Sequence, residues 1–295
     1  MRRIISVAMS LILAVTMIAF VPREPAEAAT STSALRVAVV RSAIAYGTRS
    51  YIGGAYLNGG DGSNAQYDSR VDAVRQTLVD SKRFAAVDEI GDSQLSSLSA
   101  LESYDVVVFP RTLGLSAAER STILAFVARG GGVVGSFGLS RWDYSSAYQY
   151  GYKPFLGMSS APGLYTWPPS SDALKVWEWG DVSELFNVKF KNDDLMGAGY
   201  KVVGKSVTSH PILQGAASDL GVSSLSMTAK VADYNEVVYT VPGATNVKPL
   251  LTYSTTGNAS TLDNGDNGLL AGWTSEYNFG RFVYFGFQLH DLCRG

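Results

Sequence analysis

The residues best suited to nucleophilic chemistry lie around one bend, within the sequence GGGVVGSFGLSRW at residues 130–142. A helix runs into the Gly run, a short apolar strand follows, and the bend after the strand carries Ser136, Phe137 and Gly138. In many α/β hydrolytic domains a nucleophilic Cys or Ser occupies such a bend. The bend is therefore an active site, a site that has lost its chemistry, or a tight turn.

A serine nucleophile at this bend would need a base within hydrogen-bonding distance, and the chain has only two histidines. His210 precedes a proline, so its backbone is held extended and we expect it to lead into a new element. His290 follows the last apolar run, which leaves Ser140, His290 and Asp291 as an alternative catalytic site. Adjacent His and Asp side chains rarely orient one another, so we expect the serines of the bend to be turn or cap residues.

The residues just beyond the bend suit the recognition of a sugar. The Trp142 ring can stack on a sugar ring, Asp143 can accept hydrogen bonds from hydroxyl groups, and Arg141 can bind an anion. The aromatic-rich stretch 142–179 either continues such a surface or packs a long irregular excursion against the core. The predicted ligand-binding residues are Phe137, Ser140, Arg141, Trp142 and Asp143.

No cofactor and no metal ion is expected. The Gly-rich loop at residues 47–64 lacks a G-x-G-x-x-G fingerprint at a helix start. A lone cysteine, Cys293, and two distant histidines do not make a structural zinc site. The calcium-like run that begins at Asp263 has Thr274 where a calcium loop needs its closing Glu.

Alternating strands and helices must position the bend. Continuous apolar runs predict buried strands of a parallel sheet at 35–40, 84–90, 104–110 and 133–137. Helical spacing over residues 67–84 predicts a helix. Its apolar face is formed by Val71, Val74, Leu78 and Val79. Ser116 and Glu119 form a capping box that begins the helix leading to the Gly run.

After residue 142 the pattern changes. A short helix is predicted at VSELF, residues 182–186, and the remainder favours strands separated by Gly and Asn turns. These strands are predicted at roughly 200–208, 223–232, 235–241, 248–254, 268–274 and 280–287. The sequence therefore predicts an α/β fold with a mainly parallel sheet and a strand-rich, irregular second half.

The N-terminus predicts export. A short positive region, an apolar run at 4–21 and the small-x-small motif at 26–28 are typical of a secretory signal peptide over residues 1–28, with an uncleaved anchor helix as the alternative. Residues 29–34 then form a linker and 35–295 the α/β domain. After cleavage no membrane span is expected, and the protein would be extracellular or in the cell envelope. A net charge of −2 gives no basis for nucleic-acid binding.

Six segments, in order, carry a family resemblance: LRVAVV, YDVVVFP, LSAAERSTILAFVARGGGVVGSFG, DVSELFNVKF, SHPILQG and FGRFVYFGFQL. Together they resemble the class I glutamine amidotransferase-like superfamily, over most of residues 35–290. The similarity is greatest to branches without amidotransferase activity, namely the trimerisation domain of bacterial β-galactosidases and trehalose-utilisation-type domains. The resemblance implies a flavodoxin-like three-layer α/β fold.

The resemblance also implies a lost nucleophile. Catalytic members carry a Cys at the bend, and Phe137 occupies that position here. The resulting hypothesis is a secreted, non-catalytic module of the cell envelope that binds carbohydrate or cell-wall glycan or assists assembly, with a homo-oligomer left open. The alternatives are a hydrolase of esters, amides or glycosides acting near Ser140, and a structural oligomerisation partner. Family domains commonly continue into a covering helix, so we expect either that this helix is absent or that the sequence is a fragment.

Overall fold

A computed structural model describes residues 34–42, 64–112, 114–140, 142–144, 152–154, 183–186, 188–196, 201–228, 233–240, 246–254 and 269–289. The signal-peptide segment and the Gly-rich loop at 47–63 lie outside these residues. Within them, helices cover both faces of one large sheet.

The first half alternates strands and helices. Its strands are β1 (Arg36–Val40), β2 (Ala86–Ile90), β3 (Val106–Phe109), β4 (Gly114–Ser116) and β5 (Gly132–Ser136). Its helices are α1 (Asn64–Asp80), α2 (Asp92–Leu95), α3 (Leu98–Leu101) and α4 (Ala117–Ala128). The boundaries follow the apolar runs and the capping box within a few residues.

The second half is mainly β. Its strands are β6 (Trp142–Tyr144), β7 (Tyr152–Pro154), β8 (Val188–Met196), β9 (Lys201–Gly204), β10 (Ser226–Thr228), β11 (Asp233–Thr240), β12 (Val247–Ser254), β13 (Leu269–Tyr277) and β14 (Gly280–Phe285). Its helices are α5 (Ser183–Phe186) and α6 (Pro211–Leu220).

Nine of the described strands form the large sheet, in the order β10-β9-β12-β13-β14-β5-β3-β1-β2. The five strands from β14 to β2 are parallel, while β13 and β9 run in the opposite direction to the other seven. The last strand, β14, therefore lies at the centre and joins the parallel half to the antiparallel half. Two smaller sheets are separate from the large one, a two-stranded sheet, β11-β8, and a three-stranded sheet, β4-β6-β7.

The core has two layers, one on each face of the sheet. Val37 and Val39 of β1 pack in the layer under α1 and α6. Ala38 and Val40 belong to the layer under α4, because successive side chains of a strand point to opposite faces. The three layers confirm the predicted flavodoxin-like α/β fold with a mainly parallel sheet. Of the helices in the described residues, none is long and apolar enough to cross a bilayer.

The predicted burial of one residue on the apolar face of α1 is wrong. Val71, Val74 and Leu78 are fully buried, as the helical spacing predicts. Val79, which the spacing also placed on the apolar face, is 40% exposed. It follows Leu78 directly, and neighbouring residues of an α-helix point about 100° apart, so the helix turns Val79 away from the sheet.

The expectation that His210 leads into a new element is confirmed, and that element is the helix α6 at residues 211–220, for which the sequence predicted neither helix nor strand. His210 is the N-cap: its Nδ1 accepts a hydrogen bond from the N–H of Ile212 at 3.2 Å. Its backbone is extended, with φ −154° and ψ 140°, as a residue before proline requires. The SHPIL segment is thus a helix start, and its histidine is a cap.

The predicted capping box of α4 is present, and its glutamate, Glu119, lies close to the carboxyl group of Asp92. The Ser116 N–H donates to Glu119 Oε2 at 2.6 Å, and the Glu119 N–H donates to Ser116 Oγ at 3.3 Å. Glu119 is fully buried. Burial, with a smaller contribution from the nearby carboxyl group of Asp92 in α2, raises its pKa from 4.5 to about 7, while the hydrogen bonds with Ser116 oppose this shift. Below about pH 7, Glu119 therefore favours its neutral form in the folded protein.

The raised pKa of Glu119 predicts that the free energy of unfolding depends on pH. Because the folded pKa of Glu119 exceeds the unfolded one, its contribution is complete below pH 4.5 and is lost as the pH rises through about 7. Glu119→Gln keeps the capping box and stays neutral, so we expect it to raise the free energy of unfolding by about 1–2 kcal/mol at pH 8 and to match the wild type near pH 4.5. Urea unfolding at both pH values measures this difference. A constant offset between the two proteins would contradict it, and Asp92→Asn should reduce the wild-type slope.

Candidate functional site at the bend after β5

The bend lies at the carboxyl edge of the parallel strands, where open α/β sheets form their ligand sites. Residues 137–140 make the turn directly after β5. Gly138 and Ser140 both have positive φ, 81° and 59°, and the Ser140 N–H donates to the carbonyl of Thr112 at 3.0 Å. A non-glycine residue held in the left-handed region marks a backbone that its surroundings constrain. The predicted sharp bend is therefore present and is tied to the segment after β3.

Phe137, which the resemblance places at the nucleophile position, is buried. It is 3% exposed, and its N–H donates to the carbonyl of Phe287 at 3.3 Å. The guanidinium carbon of Arg111 lies 5.4 Å from the centre of its ring, and Arg111 is itself buried. The position at which the resemblance leads us to expect a thiol is thus filled by a ring packed against a buried cation.

A carboxylate that the sequence patterns did not reveal closes the bend. Glu236 of β11 is fully buried. The Gly138 N–H donates to its Oε1 at 3.1 Å, and the Tyr284 hydroxyl donates to its Oε2. Its own N–H donates to the carbonyl of Gly286 at 2.7 Å, and the Tyr253 hydroxyl donates to its carbonyl at 3.4 Å. Side chain and backbone together fix Glu236 across the end of β14.

A glycine in the strand before the bend makes room for Tyr284. Gly135 of β5 is the register partner of Tyr284 in β14. A Cβ atom at Gly135 would lie 2.9 Å from Cδ2 of Tyr284 and 2.6 Å from Cδ2 of Leu139, closer than real Cβ atoms approach their neighbours. The absent side chain lets the tyrosine ring lie over β5 and extend its hydroxyl to Glu236.

The geometry is poorly suited to acyl transfer. In enzymes that use this bend, the N–H of the residue after the nucleophile stabilises the oxyanion of the tetrahedral intermediate. Here that residue is Gly138, and its N–H already donates to the carboxylate of Glu236. An oxyanion at this place would have to displace the Glu236 side chain, which already occupies this donor.

The one histidine among the described residues, His210, lies away from the serines of the bend. Ser136 Oγ donates to the carbonyl of Pro110 at 2.6 Å, so it connects the ends of β5 and β3. Ser140 is fully buried. Burial lowers the pKa of His210, and the positive charges of Lys248 and Arg281 act in the same direction. Arg281 pairs with the first residue of β5, so His210 belongs to the opposite edge of the sheet from the bend.

The remaining predicted site residues are Arg141, Trp142, Asp143, His290 and Asp291. Arg141, His290 and Asp291 lie outside the described residues. The backbones of Trp142 and Asp143 are placed in β6, which pairs with β4 and β7. Phe137 and Ser140 therefore lie in one turn. The chain continues from this turn to Trp142 and Asp143 of β6, which are predicted ligand-binding residues.

Further buried polar residues follow other strands of the parallel half at this edge. The N–H of Ser42, after β1, donates to the Tyr67 hydroxyl at 3.0 Å, and Arg70 of α1 donates to Oε1 of Gln288, after β14, at 2.7 Å. Their position directly after apolar runs is a signal that could have found Ser42 and Gln288. Among the described residues, no cluster of three or more His, Cys, Asp or Glu could hold a metal ion.

Comparisons with known proteins establish the fold. No family model matches the sequence, and no curated protein sequence matches it significantly. The β-galactosidase of Bacillus circulans sp. alkalophilus is 13% identical with a TM-score of 0.50, covering 89% of this chain and 30% of the enzyme. The β-galactosidase of Rahnella sp. R3 is 15% identical with a TM-score of 0.51, covering 88% and 30%. The fold is shared.

A putative ThuA-like protein from Bacteroides uniformis is 16% identical with a TM-score of 0.47, and the match covers 92% of this chain and 91% of that protein. The structural neighbours thus include β-galactosidases and ThuA-like proteins. This chain spans about 30% of the length of the two β-galactosidases.

Proposed function

We propose that the protein is an exported, non-catalytic module with an amidotransferase-like α/β fold, which binds carbohydrate at the carboxyl edge of its sheet. The observation that carries the proposal is the occupied bend: Phe137 replaces the nucleophile and Glu236 takes the N–H of Gly138. The signal-peptide pattern at residues 1–28 supports export to the cell envelope or beyond.

The absence of catalysis follows from two deficits at one place. A nucleophile supplies the covalent step, and Phe137 has no group that can attack a carbonyl. In enzymes, losing a single donor to the oxyanion lowers kcat about 10²–10³-fold. Here that donor would be the Gly138 N–H, and the side chain of Glu236 already accepts its hydrogen bond. Restoring a thiol by Phe137→Cys would therefore leave the intermediate unstabilised.

Carbohydrate binding is supported by the two residues that begin β6, directly after the bend. Trp142 offers a flat apolar face with a hydrogen-bonding edge, and Asp143 offers an acceptor for hydroxyl groups. Two of the proteins that share the fold are named β-galactosidases. The match covers only about 30% of each β-galactosidase. Within such a protein, this chain would therefore represent a supporting module. Assembly with other chains, as in a trimerisation domain, belongs to the same proposal.

A glycan array followed by calorimetry on the purified protein tests the binding. We expect one class of glycan to bind, and Trp142→Ala to weaken it about tenfold or more, which is about 1.4 kcal/mol. Phe279→Ala is the matched control: Phe279 is 78% exposed, in the turn before β14 at the opposite edge, and should leave the affinity unchanged.

Two results would contradict the proposal. The first is no binding to any glycan together with a monomer in light scattering, which would remove both binding and assembly. The second is turnover of an ester, amide or glycoside that Ser140→Ala or His290→Ala abolishes, since that would make the protein a hydrolase.

A further inference from the structure

A cavity of about 140 Å³ lies in the antiparallel half of the sheet, between α6 and the strands β9, β10 and β12. We call it the α6 slot. Its floor is formed by Leu250, Phe285 and Phe287, which are 0–4% exposed. Leu213 and Ala216 of α6 form one wall. The slot is therefore a recess into the core layer under α6, separate from the bend after β5.

The chemistry of the lining selects a neutral apolar occupant. Among the described residues that line the slot, none is charged, and the buried ones are aliphatic or aromatic. Ser224 and Ser226 are exposed and lie at its mouth. A water molecule needs two to four polar partners, which the floor does not offer. An apolar group that filled the slot would instead regain the dispersion contacts that the lining residues lack.

The volume of the slot fits an apolar group of about the size of one aromatic ring. Protein interiors are packed so closely that voids larger than a water molecule are few. An engineered cavity of about 150 Å³ lined by Leu, Ile and Phe stays dry and binds benzene or xenon. The α6 slot has nearly the same volume and the same kind of lining, with an opening at its serine rim.

We propose that the α6 slot is a binding site for a neutral apolar group of about one ring, such as an aryl or branched alkyl group of a small molecule. The site is independent of the carbohydrate proposal, because none of the residues 137–143 lines it. The serine rim lets a polar remainder of the ligand stay in water while the apolar end enters.

Fluorobenzene is the probe, observed by ¹⁹F NMR titration of the purified protein. We expect saturable binding with a Kd of roughly 0.1–1 mM, since a ligand this small gains limited free energy in total. Ala216→Leu puts a larger side chain into the slot and should weaken binding at least tenfold. Ser218→Leu adds the same side chain to an exposed position of the same helix and should leave the Kd unchanged.

Methyl NMR locates the bound probe even if a variant does not fold. Shifts confined to the methyl groups of Leu213, Leu225 and Leu250 would support the site. Absence of saturable binding, equal binding by Ala216→Leu and the wild type, or shifts at Val71 and Val74 of α1 would each overturn it. Glycan binding can fail or succeed without changing these outcomes.

Discussion

Glu236→Ala is expected to lower the free energy of unfolding by about 3–5 kcal/mol. The change leaves the Gly138 N–H and the Tyr284 hydroxyl without their acceptor in a buried place, and each such loss costs about 1–3 kcal/mol. It also leaves a cavity where a fully buried side chain was. Urea unfolding followed by tryptophan fluorescence measures the difference at pH 7.

Glu236→Gln and Tyr284→Phe are the matched variants. Glutamine keeps an acceptor for the Gly138 N–H, so we expect a loss of only about 1–2 kcal/mol. Tyr284→Phe removes one donor and should cost about 1 kcal/mol alone, but less in the Glu236→Ala background, because its partner is already gone. Strict additivity of the two changes, or a Glu236→Ala loss below about 1 kcal/mol, would show that this carboxylate does not hold the bend.

Gly280→Ala is expected to cost about 3 kcal/mol or more. A Cβ atom at this first residue of β14 would lie 2.0 Å from the carbonyl oxygen of Val127 and 2.5 Å from that of Gly131. Both are backbone atoms, at the end of α4 and in the turn into β5, so no side-chain rotation relieves the contact. Overpacking typically costs about 1–3 kcal/mol, and backbone displacement places this variant at the upper end.

Gly272→Ala in the neighbouring strand β13 is the control for Gly280→Ala. Its Cβ atom would lie 3.1 Å from Cδ1 of Phe285 and 3.2 Å from Cδ1 of Leu251. Both contacts are ends of side chains, which can shift by a few tenths of an ångström. We expect a loss of about 1 kcal/mol or less, measured by the same urea unfolding. Equal losses in the two variants would mean that the backbone at Gly280 is free to adjust.

The fold could be predicted because its signals are local. Runs such as VVVF in β3 have buried residues only, and strand alternation with helices implies a parallel sheet. The capping box at Ser116 lies within four residues, so the sequence alone shows it. The helix α6 was not predicted, although proline at its first position favours a helix start, because its sequence, PILQGAASDL, also contains Gly, Ser and Asp, which are weak helix formers. Packing of Ile212 and Leu213 on the sheet stabilises it instead.

The candidate site was only half predictable for the same reason. The bend itself follows an apolar strand and carries Gly138, so turn chemistry predicts it. Glu236 sits among alternating residues of β11, and its partners Gly138 and Tyr284 are 98 and 48 residues away. No local pattern identifies such a contact. The position of Arg111, two residues after the end of β3, is a local signal of the same kind as those at Ser42 and Gln288.

The central place of β14 has a consequence for synthesis of the chain. β5 pairs with β3 on one side and with β14 on the other, where Ser136 is in register with Phe285. During translation β1, β2, β3 and β5 emerge first, but one hydrogen-bonding edge of β5 stays open until residues 280–285 leave the ribosome. An open, buried-strand edge favours pairing with other nascent chains. The pairing of β5 is therefore completed only by β14, the last of the described strands, and until then its open edge favours aggregation.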